Sequence, residues 1–180
     1  MAILVDEPIW DWRGRKWAHL VSDSNLDELH DFAHRLGLPY LAFQGDHYDV
    51  HTDLRLRALD DGAHPVSGRQ VVVALRTAGL RRRGPVDSWQ WEWRWTAATQ
   101  GAVIPHEVEP AVLDAIAELV TAGHPVEVGQ ARRWTDELVV VSTTSVVPVD
   151  PGLVVVDAGT TVHRSSGERG TYLEWRTTTA

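Results

Sequence analysis

Pro39-Tyr40-Leu41-Ala42-Phe43-Gln44-Gly45-Asp46-His47-Tyr48-Asp49 is the stretch on which the fold turns. Its first five residues predict a strand running into the polar segment Gln44-Gly45-Asp46-His47-Tyr48-Asp49. A glycine followed by Asp, His and Asp just past a strand places polar groups at a carboxyl-terminal sheet edge, where α/β folds build ligand sites. On the amino-terminal side, Ala2–Val5 reads as a strand ending at Asp6, and Trp17–Val21 as a second. Asp23 or Ser24 then caps a helix whose one face is Leu26, Leu29, Ala33 and Leu36, and Gly37 stops it. On the other side, Leu54, Arg55, Ala58 and Leu59 give a short helix closed by Gly62. Val66 forms a short strand, and Ser67 caps a helix carrying Val71, Leu75 and Ala78. The order β-β-α-β-α-β-α predicts a small α/β domain.

Leu80-Arg81-Arg82-Arg83-Gly84-Pro85 is a basic, helix-ending turn and predicts a boundary between a domain over 1–80 and an extension over 86–180. An arginine run at a helix C-terminus is read first as dipole complementarity and solvation. The extension opens with Trp89, Trp91, Trp93 and Trp95 at period two, so all four indoles are expected on one strand face, as sheet core rather than the alternative, a stacking platform for bases or sugars. Glu109-Pro110 starts a helix ending at Gly123. Strands are expected at Val126–Gly129, Leu138–Val147, Leu153–Val156 and Tyr172–Arg176, with Pro148, Asp150-Pro151-Gly152 and Ser165-Ser166-Gly167 as turns. The extension reads as α+β and largely antiparallel.

The 180 residues carry 17 Lys plus Arg against 25 Asp plus Glu, a formal charge of −8. That balance disfavours a broad nucleic-acid footprint or an anionic membrane as partner. There is no cysteine, which excludes disulfides, Cys-ligated zinc, iron–sulfur clusters and thiol nucleophiles. The apolar start Met1-Ala-Ile-Leu-Val-Asp6 is too short for a signal region or a membrane span, so a cytoplasmic protein is expected. Six of the nine histidines lie between His19 and His64.

Chemistry is therefore sought in the first 80 residues. If the strands ending at Asp6 and Asp46 are parallel neighbours, their carboxylates converge. With Asp49 and neutral imidazoles they suit Mg²⁺, Mn²⁺ or a mixed nitrogen–oxygen Zn²⁺ site. The competing view makes Asp46 and Asp49 turn residues and Tyr48 a rim aromatic. His30 lies at the margin of its helix's apolar face, and His34 is expected toward solvent. His19 shares a strand face with Trp17 and Val21. Trp10 and Trp12, in the loop after Asp6, flank the site as a lid or substrate wall. No HExxH, P-loop, GxSxG or GxGxxG pattern occurs.

The residues Val5-Asp6, Gly14-Arg15, Ala18-His19, Ser22-Asp23, Glu28-Leu29-His30, Phe32-Ala33, Leu36-Gly37, Gln44-Gly45-Asp46-His47-Tyr48-Asp49, Gly62-Ala63 and Arg69 resemble domain-of-unknown-function family 4031, a short domain of bacteria and their phages. The resemblance spans about residues 1–80 and implies no activity. It implies that Asp6, His19, Asp23, His30, Asp46, His47, Tyr48, Asp49, Arg55 and Arg69 fit the family's polar pattern. The expectation is then a divalent-metal-dependent hydrolase of a nucleotide-like or phosphate-bearing small ligand. Asp6, Asp46 and Asp49 would hold the metal, and His47 or His30 would act as ligand or base. Arg55, Arg69, Tyr48 and His19 would contact substrate. The alternative is a non-catalytic ligand- or protein-binding module whose His/Asp cluster is a hydrogen-bonded scaffold.

Overall fold

The computed structural model describes residues 1–82, 88–97, 108–148, 152–155 and 160–178. The chain forms two compact units, Met1–Val86 and Asp87–Ala180.

The first unit is organised by β3 (Arg15–Ser22), which pairs antiparallel with β1 (Ile3–Val5), β2 (Trp10–Trp12) and β4 (Tyr48–His51). A short β5 (His64–Pro65) joins β1 in parallel. Period-two alternation sends Ala18 and Leu20 to one face of β3 and Trp17, His19 and Val21 to the other. On the first face lies α1 (Leu26–Arg35), whose His30 hydrogen-bonds the hydroxyl of Tyr48, the partner of Leu20. On the second lies α3 (Gly68–Thr77), whose Val71 and Leu75 bury Val21, with Leu4 and Val66 at the margin. The helix α2 (Thr52–Asp60) follows β4 directly, its first turn capped by His51. Helix, sheet and helix make three layers, the α/β architecture expected.

Three local expectations change. Tyr40–Ala42 forms a 3₁₀ turn, and the strand begins only at Tyr48. Residues three apart share a side in such a turn, so Tyr40 and Phe43 both bury against His30, and Phe43 also meets Tyr48, which strand alternation would forbid. Trp10–Trp12 is a strand of a hairpin whose two-residue turn, Arg13-Gly14, has positive φ at both positions, 51° and 73°. The cap of α1 is Asn25, which accepts from the Glu28 amide, while Asp23 accepts from the Ala2 amide.

The second unit is a six-stranded antiparallel sheet, in the order β6 (Gln90–Ala97), β7 (Val126–Arg133), β8 (Asp136–Thr143), β11 (Gly170–Thr178), β10 (Thr160–Gly167), β9 (Gly152–Val155). One face is covered by α4 (Pro110–Thr121), which sets Val112, Ile116 and Leu119 against Val126, Val128, Val141, Val162 and Trp175. Ser165-Ser166-Gly167, which reads locally as a turn, instead ends the strand β10. The ladder with β11 holds it extended and moves the turn beyond Gly167. The tryptophan row is split by a bulge between Trp91 and Trp93. Trp93 and Trp95 pack on the core, whereas Trp91 is exposed and sits over Gly129. Among the described residues no helix is long and apolar enough to cross a membrane.

Candidate metal centre

The end of β1, the middle of β3 and the start of β4 bring polar groups together at the face that carries Trp17 and Val21. Asp6 immediately follows β1, and its backbone amide still bonds the His19 carbonyl. Its carboxylate grips His19 twice: Oδ1 accepts the His19 amide at 2.7 Å and Oδ2 lies 2.9 Å from the ring Nδ1. Arg55, buried in α2, donates from Nε to the Asp6 carbonyl at 2.7 Å and from Nη2 to Glu7 at 2.9 Å. The start of α3 abuts the same carboxylate, since a Cβ at Gly68 would stand 3.3 Å from Asp6 Oδ2. The positive end of that helix dipole thus adjoins a negative charge.

Across the ladder, His19 is the register partner of Asp49 in β4. His47 precedes that strand and places its ring 5.1 Å from the His19 ring, edge to face. Its Nδ1 lies 2.6 Å from Asp46 Oδ1, and its Nε2 3.5 Å from Asp49 Oδ1. That Asp49 oxygen is buried, and beyond this long contact with His47 it has no hydrogen-bond partner among the described residues. Asp46 is 2% exposed; its Oδ2 accepts from Arg81 Nη1 at 2.9 Å and from the Arg82 amide at 3.1 Å.

The electrostatics follow from these contacts. Burial works to raise the Asp46 pKa, but hydrogen bonds from His47 and the Arg82 amide, with the charges of His47 and Arg81, outweigh it and hold the carboxyl below its ordinary value. Burial likewise works to lower the His47 pKa. Its hydrogen bond to Asp46 and its charge interactions with Asp46 and Asp49 prevail and push it up to about 9. Without metal, His47 is thus an imidazolium at neutral pH.

His19, His47 and Asp49 can each offer one ligand atom such that all three lie within 4.8 Å of one another. Each imidazole uses Nδ1 toward its own carboxylate, Asp6 for His19 and Asp46 for His47, which leaves the two Nε2 atoms as the available ligands. A carboxylate behind each histidine is the arrangement that orients metal-binding imidazoles and raises their basicity. A metal held at His47 Nε2 would have to displace the proton there.

The structure thus distributes the candidate residues unevenly. Asp49 stands beside His19 and His47, while Asp6 and Asp46 stand behind those imidazoles. The strands ending at Asp6 and leading to Asp46 are not parallel neighbours: β1 pairs with β3 and β5, and β4 pairs with β3. His30 and Tyr48 lie on the opposite face, bonded to each other inside an aromatic cluster. Arg69 is exposed in the first turn of α3, next to Gly68. His34, expected toward solvent, is fully buried, and burial lowers its pKa to about 4. Arg81 and Arg82 were missed as partners of Asp46, since an arginine run after a helix carries no sign of a carboxylate 35 residues earlier.

No curated protein and no solved structure matches the chain. Residues 3–78, the segment that holds the whole of this polar cluster except Arg81 and Arg82, match the family model described as Protein of unknown function (DUF4031).

Proposed function

We propose that the first unit is a metal-dependent hydrolase acting on a phosphate-bearing, nucleotide-like substrate. The metal ligands are Nε2 of His19, Nε2 of His47 and the Asp49 carboxylate. The observation that carries this is the clustering of those three groups within 4.8 Å, with a carboxylate behind each imidazole. Two imidazoles and one carboxylate favour Zn²⁺, Mn²⁺ or Fe²⁺ over Mg²⁺, which takes mainly oxygen ligands. Three protein ligands leave coordination positions for water and substrate, and a bound divalent ion makes that water a nucleophile near neutral pH. Arg69, exposed beside Gly68 at the start of α3, where the helix abuts the Asp6 carboxylate, supplies the phosphate donor. Arg55, committed to Asp6 and Glu7, acts instead as a strut.

A second reading rests on a specific observation of its own. Asp46 joins His47 to Arg81 and to the Arg82 amide, so the same network fixes the segment after α3 and has a structural use with no metal. The two separate on one experiment. The chain is stripped with chelator, reloaded with Zn²⁺ or Mn²⁺, and assayed for phosphate release from nucleoside monophosphates. The hydrolase predicts metal-dependent release that falls at least about 100-fold in His47→Ala while the circular-dichroism melt stays cooperative. Stoichiometric metal with no release from the nucleoside monophosphates overturns the hydrolase; absence of metal uptake leaves only the scaffold.

A further inference from the structure

Beyond the metal ligands, the same sheet face continues as a row of indoles. Trp10 in β2 is the register partner of Trp17, and Trp12 shares its face. The Trp10 ring lies 5.9 Å from the His19 ring and 6.1 Å from Trp17, and Trp12 lies 5.4 Å from Trp17. Trp17 is buried, and its Nε1 donates to the Trp12 carbonyl at 2.8 Å, which anchors the hairpin. The other two indoles are not used up in this way. Trp10 Nε1 is buried and has no hydrogen-bond partner among the described residues, a deficit that an acceptor on a ligand would relieve. Trp12 is 47% exposed, and Arg13 holds its guanidinium 4.4 Å from the Trp12 ring centroid.

Arg13 does this from φ 51°, in the left-handed region that a non-glycine residue seldom occupies. The hairpin tip thus gathers an exposed indole and a cation in a chain whose net charge is −8.

We propose that this indole shelf takes the base of a nucleotide whose phosphate sits at the His19–His47–Asp49 centre, which names the substrate class of the hydrolase proposed above and rests on that reading. A planar heteroaromatic ring stacks on an indole whichever base it is. Its ring acceptors answer the Trp10 N–H, and Arg13 offsets the ligand's charge while stacking at the rim. A sugar phosphate or a phosphorylated peptide side chain would fill the metal centre and leave the shelf bare.

The test is calorimetry on the full chain with three probes: adenosine monophosphate and ribose 5-phosphate on the metal-loaded protein, each with a methylene in place of the ester oxygen so that binding is read without hydrolysis, and adenosine on the metal-free protein. Adenosine monophosphate is expected to bind about tenfold more tightly than ribose 5-phosphate. That ratio falls toward one in Trp12→Ala and is largely restored in Trp12→Phe, which keeps a ring on the hairpin. Adenosine binding to the metal-free chain follows Trp12 and is indifferent to His47→Ala. Equal affinity for the two phosphates, or a preference unmoved by Trp12→Ala in a folded variant, overturns the shelf. Ribose 5-phosphate binding to the loaded chain without any base preference leaves the metal centre standing and removes the shelf alone. Adenosine binding that depends on Trp12, in a chain that takes up no metal, keeps the shelf and removes the centre.

Discussion

The two faces of the first unit's sheet each carry a pair of neighbouring histidines, and the pairs live in opposite surroundings. On the α1 face, His30 and His34 stack 6.4 Å apart, and His30 sits against Tyr40, Phe43 and Tyr48. On the other face, His19 and His47 sit 5.1 Å apart, each with a carboxylate at Nδ1. One strand serves both: Tyr48 of β4 points toward α1 while Asp49, the next residue, points toward His19. The identity of a side chain thus decides little here, and its neighbours decide the charge. Burial without a carboxylate takes His34 down to about 4, and burial between two carboxylates leaves His47 at about 9.

If the α1 face is structural, the largest effect comes from emptying its aromatic cluster. Phe43→Ala should lower stability by about 3–5 kcal/mol in urea denaturation while leaving the metal affinity of the folded fraction unchanged. Loss of metal affinity at temperatures where the variant is folded would mean that the faces are not independent.

The pH dependence of stability should split between the faces with opposite signs. His34 has a folded pKa below the unfolded value of 6.5. As pH falls from 6.5 toward 4, the unfolded chain takes up a proton that the folded chain refuses, and stability drops by up to about 3 kcal/mol. His47 in the metal-free chain is the reverse. Its contribution is complete below pH 6.5 and is lost as pH rises through about 9, again up to about 3 kcal/mol. Denaturation midpoints measured from pH 4 to 10 should show His34→Gln flattening the acid limb and His47→Gln the alkaline one. Either substitution flattening the other's limb would contradict the assignment.

A smaller effect isolates the support behind a ligand. Asp46→Asn removes the negative charge behind His47 and should weaken metal binding about 10- to 100-fold without abolishing it. Unaltered affinity would remove Asp46 from the centre. The smallest effect is on the α1 side, where Asn25→Ala deletes a helix cap and should cost about 1 kcal/mol by thermal melting, with metal binding untouched.

Periodicity and caps made most of the architecture legible. Leu29 and Ala33 do face the core, Ser67 does cap α3, and the antiparallel character of the second unit is as its valine-rich runs suggest. The failures have a common origin in partners distant along the chain. Tyr40 and Phe43 follow a 3₁₀ spacing because both pack on the His30 ring, which no local pattern encodes. A one-residue bulge turned Trp91 away from Trp93 and Trp95, and period-two reasoning has no means of seeing it. At the site, Asp6 does end a strand, but the parallel pairing expected to bring it to Asp46 does not form, and its carboxylate meets His19 instead. Which atoms face a metal depends on the β3–β4 register that sets His19 opposite Asp49, and register is a property of the folded sheet.

Metal titration of the chelator-stripped chain tests the centre most directly, with bound ion counted by mass spectrometry and released proton by pH-stat between pH 7 and 8. One Zn²⁺ or Mn²⁺ per chain is predicted, with about one proton released as His47 gives up Nε2. Uptake should fall at least about 100-fold in His19→Ala and in His47→Ala, and stay unchanged in His30→Gln. No uptake, or uptake indifferent to His19 and His47, would contradict the assignment of these residues as a metal centre.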